Sequence, residues 1–496
     1  MSDRRRWWAL GALNLAVLAV SLDGTVLSVA LPTLAHALDA TESDLQWFSS
    51  GYLLVLAAAM LPAGLLGDRY GRKKVLLGSV ALFGTGSVLC AAATSSGAFI
   101  AARTLLGLAG AGVIVMALSA LTVLFSEEER PKAVGVWSAA NFLALPLGPI
   151  LGGWLLSEFW WGWVFLINVP VALIGLLAAW KLVPESRPPE QPGFDGIGLA
   201  ASVAGLVALT YGAIEAGEHG WGHSGAVVPI LLGVVLLAAF ALWERRLGAL
   251  PGGEPLIDPE LFRSHAYTWG VILATVAILA MIGVLFTMPQ YFQGVRGTDA
   301  LGSGVRLLPL IGGLVLGALP AARLAARAGA KATVATGFLI LAAGLSLGAT
   351  TDLGSGEGFV AAWMVVVGLG MGLTTATATS AALSELPEER AGVGSAVLQA
   401  CNKTGGPLGT AILGSVLSSA YLARLDGFPA TARESVFGGV AAAEQTHSGA
   451  LLVAVRGAFV HGMDVALLVS AGIAVAGALA TLAFLQTRSP VVAAAQ

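Results

Sequence analysis

The sequence predicts an all-α integral membrane protein, and three observations carry that prediction. Of the 496 residues, 56% are apolar and only 11% are charged, and 65 are glycine, a composition unlike that of soluble domains. Apolar runs long enough to cross a hydrocarbon core of about 30 Å as a helix recur along the chain, whereas strands of alternating polarity do not. The two ends of the chain also repeat each other. We therefore expect two related helical bundles in a membrane.

Fourteen spans are predicted from the apolar runs, each bounded by polar or basic residues. The first is expected to be retained, because it far exceeds the roughly 7–15 apolar residues of a cleaved signal. Two of them, 98–124 and 392–421, are long enough to tilt. The fourteen are 8–34, 45–66, 75–94, 98–124, 133–156, 162–182, 195–216, 224–246, 266–292, 301–324, 331–350, 359–383, 392–421 and 457–485.

Basic residues alternate between the predicted loops. If the chain starts in the cytoplasm, the cytoplasmic loops carry 19 of the 26 Lys and Arg residues and the external loops carry three. Basic flanks are retained on the cytoplasmic side of a membrane. Both termini are therefore predicted to be cytoplasmic, which agrees with an even number of spans, in a multi-pass protein of the inner (plasma) membrane.

An internal repeat divides the chain. Residues 61–73 read LPAGLLGDRYGRK and residues 319–331 read LPAARLAARAGAK, with seven of thirteen positions identical at an offset of 258. Two further matches, Glu-Glu-Arg at 128 and 388 and Pro-Leu-Gly at 146 and 407, have offsets of 260 and 261. The loop after span 2 thus matches the loop after span 10.

Two spans are left over if each repeat contains six. The candidates are spans 7 and 8, which follow the Pro-rich stretch 184–192. The predicted domains are a six-helix bundle over 1–182, a linker with two extra helices over 183–265, and a second six-helix bundle over 266–496. Parallel repeats of this kind are one layout of secondary transporters, with the substrate site between the halves near mid-membrane.

The repeat, the count of six plus two plus six, and the loop GLLGDRYGRK resemble the major facilitator superfamily, and specifically its fourteen-span drug/proton antiporters of the QacA/EmrB-like group. On residues alone the basic loop is equally well explained as a topology anchor. The resemblance implies a cytoplasmic gate whose acid is Asp68, and the second copy has Ala326 at that position. The predicted gate residues are Gly64, Gly67, Asp68, Arg69, Gly71 and Arg72.

Asp23 is an acid well inside the first apolar span, where holding a charge costs about 2.5–3.5 kcal/mol. Removal from water favours the protonated carboxyl, which suits a residue that takes up and releases protons; the alternative is a hydrogen bond that only joins helices. The resemblance covers the pattern LDxTVxxVALP and implies a proton-coupling role. Arg103 on span 4 either extends outward to the interface or is the buried arginine that assists this role in the family.

Span 5 contains ALPLGPILGG over 144–153, similar to the GxxxGPxxGG pattern of antiporters, with Ala144 at the first glycine. Gly-Pro pairs bend a helix and permit close packing. The resemblance, and not the bend, implies export. The predicted antiporter-motif residues are Pro146, Gly148, Pro149, Gly152 and Gly153.

Polar and aromatic residues inside the spans are weaker candidates for a large amphipathic cavity. Lys403 needs an acid, a carbonyl or water if it is buried. The other members more often serve packing than binding. The candidates are Tyr52, Asn141, Phe142, Gln290, Gln399, Asn402 and Lys403.

The predicted function is proton-coupled export of hydrophobic or amphipathic small molecules such as antibiotics and biocides. No nucleotide-binding motif is present, so a proton gradient is the expected energy source, without a cofactor, catalytic residue or metal site. Because Asp23 is the one acid predicted in the cavity, neutral or singly charged substrates are favoured over doubly charged cations. The alternatives are a lipid or glycolipid translocator and a non-transporting receptor or scaffold. Expected partners are substrates, protons and the lipid bilayer, with no nucleic acid, for a chain that works as a monomer.

Overall fold

A computed structural model describes residues 3–125, 129, 133, 144, 147–186, 195–250, 253, 255–256, 259–383 and 388–485. These residues form α-helices, one short 3₁₀ turn and one π turn, and the described part contains no strand. The predicted site residues Asn141, Phe142 and Pro146 lie outside the described residues. Only the backbone is described for Asp68, Gln399 and Lys403.

The first half of the molecule comprises six labelled helices and one unlabelled helical segment at residues 147–158. α2 begins with a capping box, in which Thr41 and Asp44 satisfy each other's backbone N–H groups. The labelled helices are α1 (Asp3–Ala37), α2 (Glu42–Tyr70), α3 (Arg72–Ala91), α4 (Ser96–Leu124), α5 (Trp163–Leu166) and α6 (Asn168–Leu182).

The second half begins after a 3₁₀ turn at Pro259–Arg263. The predicted span 301–324 is divided at Leu307, and a π turn at Tyr291–Val295 follows α9. The predicted external segment 422–455 contains two short helices and the start of the last long one. The helices are α9 (His265–Gln290), α10 (Ala300–Arg306), α11 (Leu308–Ala328), α12 (Ala330–Gly348), α13 (Glu357–Leu383), α14 (Glu388–Arg424), α15 (Ala430–Glu434), α16 (Val436–Gln445) and α17 (Gly449–Phe484).

A helical hairpin, α7 (Gly196–His219) and α8 (Ser224–Gly248), stands between the halves in sequence. α7 packs against α2 of the first half and α14 of the second. Ala213 and Ile214 of α7 form a small apolar cluster with Ala411 of α14 and the ring of Trp47. α8 instead exposes a row of large aliphatic side chains, such as Leu231 and Val235, as expected of a helix that faces lipid.

Within the described residues, twelve helices are long and apolar enough to cross a membrane. The fourteen predicted spans are thus matched in part. Half of the predicted span 133–156 lies outside the described residues, and the span 45–66 corresponds to α2, a helix of 29 residues that is not among the twelve.

The sequence repeat has a counterpart in backbone geometry. Gly71 and Gly329, 258 residues apart, adopt positive φ angles of 109° and 85°. Each ends one helix and begins the next, and each N–H donates to the carbonyl four residues earlier, at 2.9 Å in both copies. Such angles are accessible to glycine without strain. The two loops therefore make the same turn.

The halves meet along a seam formed chiefly by α2 and α14. At the helix ends predicted to be external, Gln293 Nε2 donates to the Val29 carbonyl oxygen at 3.1 Å, and the rings of His36 and Phe437 lie edge to face at 5.7 Å. These contacts hold the halves together at the predicted external end.

Candidate functional site

A buried ion pair lies inside the first half. Asp23 of α1 accepts a hydrogen bond from Arg103 of α4, with Nη1 and Oδ2 2.5 Å apart, and about 1% of each side chain is exposed. The Arg103 Nε also donates to the Phe48 carbonyl oxygen at 3.3 Å. Arg103 therefore points into the bundle, and the outward orientation that the sequence left open is absent in this structure.

A second polar group from another helix completes the surroundings of the carboxylate. Asn168, at the start of α6, donates from Nδ2 to Asp23 Oδ1 at 3.3 Å. The same nitrogen lies 3.4 Å from Ser87 Oγ of α3. Both Asp23 oxygens thus have a donor, as a buried carboxylate requires. Asn168 is not among the predicted site residues; its one local signal is an amide two residues before Pro170 at the start of a helix.

Tyr52 of α2 packs against the Arg103 side of the ion pair. Its ring centroid lies 4.1 Å from the Arg103 guanidinium carbon, which is cation–π geometry, and its hydroxyl donates to the Val20 carbonyl oxygen at 3.0 Å. Gly107 permits this approach of α4 to α2, because a Cβ there would lie 2.5 Å from the Tyr52 carbonyl oxygen. Tyr52, predicted to line the cavity, is instead fully buried beside the ion pair.

Aromatic rings cover the ion pair on its predicted external side. Phe99 lies one helical turn from Arg103, and its ring contacts Phe48 at 4.6 Å and Phe165 at 5.4 Å between centroids, both edge to face. All three rings are almost fully buried. Water from that side therefore has to pass a packed aromatic layer to reach Asp23.

A small pocket borders Asp23 from the direction of α6. Its walls come from α1, the helical segment 147–158, α5 and α6, and they are apolar apart from Asp23 and Asn168. The carboxylate therefore has one neighbouring space that is not filled by protein.

Two of the predicted antiporter-motif glycines, Gly148 and Gly152, pack against the LDxTVxxVALP stretch of α1. Thr25 Oγ1 donates to the Ala144 carbonyl oxygen at 3.1 Å. A Cβ on Gly148 would overlap the Thr25 side chain, and one on Gly152 would lie 2.7 Å from Val26 Cγ1. The backbone of the 147–158 segment thus packs directly against α1 near Asp23, with no room for a side chain at Gly148 or Gly152.

The same segment also reaches the second half. A Cβ on Gly153 would lie 2.6 Å from the Leu301 Cα and 2.8 Å from the Ala300 carbonyl oxygen. The Pro149 carbonyl borders Gly304 in the same way. Gly153 and Pro149 therefore belong to the seam between the halves, next to α10.

The predicted gate loop contacts the end of α6 within the first half. Lys73 Nζ donates to the Trp180 carbonyl oxygen at 2.6 Å, its N–H donates to Glu185 Oε1 at 3.1 Å, and the Arg72 N–H donates to the Ser186 carbonyl oxygen at 3.2 Å. Gly64 and Gly67 face Val115 and Met116 of α4.

Arg69 is exposed, with its guanidinium carbon 5.9 Å from the Tyr70 ring centroid. The side chain of Asp68 lies outside the described part, so the contact expected of a latch there stays a prediction.

Of the remaining cavity candidates, the side chains of Gln290 and Asn402 are described, and they have different partners. Gln290 is fully buried, and its Nε2 lies 3.5 Å from Glu42 Oε1 across the seam. Asn402 Oδ1 accepts from Thr275 Oγ1 at 3.3 Å, and is half-buried. Glu42 is not among the predicted site residues, because an acid in the first turn of a helix ordinarily stabilises the helix N-terminus. These residues do not form one cluster with Asp23.

Two helical halves joined along one seam, with an ion pair buried in one of them, define a polytopic membrane transporter. Residues 13–410 match the family described as Major Facilitator Superfamily. The chain belongs to that superfamily.

Curated relatives match 91–96% of the chain. The chain is 34% identical to the tetracenomycin C resistance and export protein of Streptomyces glaucescens, covering 96% of this chain and 91% of that protein. It is 31% identical to the puromycin resistance protein pur8 of Streptomyces alboniger, over 91% and 90%. It is 30% identical to the multidrug efflux pump LfrA of Mycolicibacterium smegmatis, over 96% and 95%.

Solved structures share the fold at low sequence identity. A bacterial homologue of the human lysosomal transporter Spinster, in an inward-facing and unoccupied conformation, aligns with a TM-score of 0.70 at 18% identity, over 99% of this chain and all of that one. A D-xylose–proton symporter aligns with a TM-score of 0.62 at 15% identity, over 97% and 98%.

Proposed function

We propose that this chain is a proton-coupled antiporter that exports hydrophobic or amphipathic small molecules, including antibiotics, from the cytoplasm. One observation carries the coupling part of the proposal: a carboxylate, a guanidinium and an amide from three helices meet at Asp23, beside a largely apolar pocket. The export part is supported by three relatives, at 30–34% identity, named for resistance, export or efflux.

Protonation of Asp23 changes its pairing with Arg103, and this change is the proposed switch between states of the transporter. With Asp23 ionised, the buried charges of Asp23 and Arg103 balance, and breaking such a pair leaves an uncompensated charge that costs about 3–5 kcal/mol. A proton on Asp23 removes the negative partner, so Arg103 is left with the Phe48 carbonyl and the Tyr52 ring. The protonated site then favours a different spacing of α1 and α4. A shift of the α1 segment that contains Asp23 would move the 147–158 segment, because Thr25 packs against Gly148, and that segment contacts the second half.

The finer architecture belongs to the same proposal. We infer fourteen spans, as in the drug/proton antiporter group, with domains at 1–182, 183–265 and 266–496 and with both termini in the cytoplasm. Contacts at Gln293 and Gly153 near the predicted external end support an inward-facing state, in which the gate loop is disengaged. In the outward-facing state, Asp68 and Arg72 would connect the halves on the cytoplasmic side.

Substrates are expected to be neutral or singly charged. Asp23 is already paired with Arg103, so it offers no free negative charge to a cationic drug. The acid across the seam, Glu42, is bonded to Gln290 near the predicted external end. A largely apolar antibiotic with at most one charge fits this charge pattern better than a dication does.

The test is efflux from a pump-deficient host that expresses the chain, screened against antibiotics and biocides with and without a protonophore. The proposal expects resistance that the protonophore abolishes and that Asp23→Asn removes at equal expression. The matched control is Asp352→Asn, which changes an exposed loop acid and should retain resistance. Resistance that survives both the protonophore and Asp23→Asn would contradict proton coupling.

Transport assays in proteoliposomes distinguish a drug exporter from a lipid or glycolipid translocator. Fluorescent lipid should stay in its leaflet while a drug found in the screen is transported. Lipid movement that depends on Asp23, with no drug movement, would replace the export proposal.

A further inference from the structure

We propose that the end of the α7–α8 hairpin binds a divalent transition-metal ion, with zinc as the best fit. Glu215 and His219 lie four residues apart on the last turns of α7, and His223 follows four residues later as the N-cap residue of α8. One ligand atom from each of the three side chains lies within 4.8 Å of the other two. The proposal does not rest on the transport function.

The distances are close to those of a coordinated ion. Glu215 Oε1 and His219 Nδ1 are 3.0 Å apart, and the His219 and His223 rings are stacked with centroids 5.2 Å apart. Zinc binds nitrogen and carboxylate oxygen at about 2.0–2.2 Å in tetrahedral geometry, which puts ligand atoms about 3.3–3.6 Å apart. Small rotations of the exposed imidazoles reach this arrangement.

The turn is built to bring the three side chains together. Gly220, directly after His219, has a φ of 92°, a conformation that reverses the chain with little strain only for glycine. At Gly225 a Cβ would lie 3.0 Å from His223 Nδ1 and 3.2 Å from Glu215 Oε1. Those two atoms therefore border one small space, which the missing side chain leaves open.

The donor set favours transition metals over magnesium and calcium. Two imidazoles and one carboxylate suit zinc, copper and nickel, whereas magnesium and calcium prefer all-oxygen sites. The ligands tolerate a fourth position held by water. His219 is half exposed, so an ion can enter from the aqueous side.

The site has a structural consequence, because it lies beside the seam. Gly217, two residues before His219, contacts Ser415 of α14, and Ser419 Oγ donates to the Gly217 carbonyl oxygen at 3.3 Å. A metal ion that joins the end of α7 to the start of α8 would fix this end of α7 against the second half.

The test is metal analysis of the full chain, purified with an affinity tag that contains no histidine. After incubation with micromolar zinc and desalting, elemental analysis is expected to find about one zinc ion per chain, and none in the double variant His219→Asn/His223→Asn. His447→Asn, which changes an exposed histidine outside the hairpin, is the matched control and should keep the ion. Glu215→Gln should bind more weakly.

A thermal measurement separates metal loss from misfolding. Zinc is expected to raise the melting temperature of the wild type and of His447→Asn, while the double variant melts at the wild-type temperature without zinc and does not respond to it. Magnesium should change none of the three. A wild type that retains no zinc and shows no shift, or a double variant that retains zinc like the wild type, overturns the proposal.

Discussion

The two halves share a loop conformation, but they differ in the residues at the positions of the buried ion pair. The loop turn at Gly71 is repeated at Gly329 with the same hydrogen bond. Offsets of 258 to 261 carry Asp23 to residues 281–284, which read Met-Ile-Gly-Val, and carry Arg103 to residues 361–364, which read Ala-Ala-Trp-Met. Neither stretch contains an ionisable group, and the latter holds the fully buried Trp363.

The loop turn is thus common to both halves, whereas the ion pair has no counterpart at the matching positions of the second half. At the positions that match Asp23 and Arg103 the second half has apolar residues, whereas the first half has a carboxyl group that can take up a proton. In the proposed mechanism, protonation in the first half changes how that half packs against the second. Substitutions in the two regions should have different consequences.

The largest expected effect follows from removing the cation. Arg103→Leu leaves Asp23 without its main partner, and breaking a buried pair costs about 3–5 kcal/mol. Drug efflux should be lost, and the melting temperature should fall unless Asp23 is protonated. Trp363→Phe, at the matching place in the second half, should cost about 1–3 kcal/mol of packing yet keep efflux dependent on the pH gradient.

Both variants are measured by everted-vesicle efflux at matched protein amounts, with and without an imposed pH gradient. If Trp363→Phe loses its response to the gradient as Arg103→Leu does, the division between a charged half and a passive half is wrong.

The next effect concerns the contact between the halves. Gly153→Ala places a methyl group against the Leu301 backbone, where no side chain can rotate away, so closure at the predicted external end should be hindered. Efflux should fall several-fold while expression stays normal. Gly312→Ala, at a glycine with no neighbour within 4 Å of an added Cβ, is the control. Spin-label distances across the predicted external end should lengthen in Gly153→Ala alone.

A smaller effect is expected at Asn168. Asn168→Ala removes one donor from the Asp23 carboxylate while Arg103 remains, and a hydrogen bond to a charged group contributes about 1.5–3 kcal/mol. Efflux should be reduced, with a changed dependence on external pH. Asn168→Asp, which places a second acid beside Asp23, should be more damaging than Asn168→Ala, and the opposite order would remove Asn168 from the site.

The smallest effect is expected at Tyr52. Tyr52→Phe keeps the ring over the Arg103 guanidinium and loses only the bond to the Val20 carbonyl, worth about 1 kcal/mol. Efflux should stay near normal, while Tyr52→Leu, which also loses the cation–π contact, should reduce it. Equal efflux in the two variants would show that the ring does not hold Arg103.

Much of the fold was readable from sequence, because long apolar runs and a repeated loop are local signals. Helices α1, α3, α4, α9 and α12 match predicted spans closely, but the break at Leu307 was missed, since the apolar run continues across it. Pairings between distant helices gave no such signal. Asp23 and Arg103 stood out as charges in apolar runs, whereas nothing local showed that Asn168 lies beside them or that Tyr52 lies beneath them.

Proton release on substrate binding tests the central claim most directly. Purified chain in weakly buffered detergent solution is mixed with a drug identified by the resistance screen, and a pH indicator reports released protons at a pH where efflux is active. The account predicts release by the wild type and by Asp352→Asn, and none by Asp23→Asn that still binds the drug. Equal release by Asp23→Asn would contradict the assignment of the coupling proton to this carboxyl group.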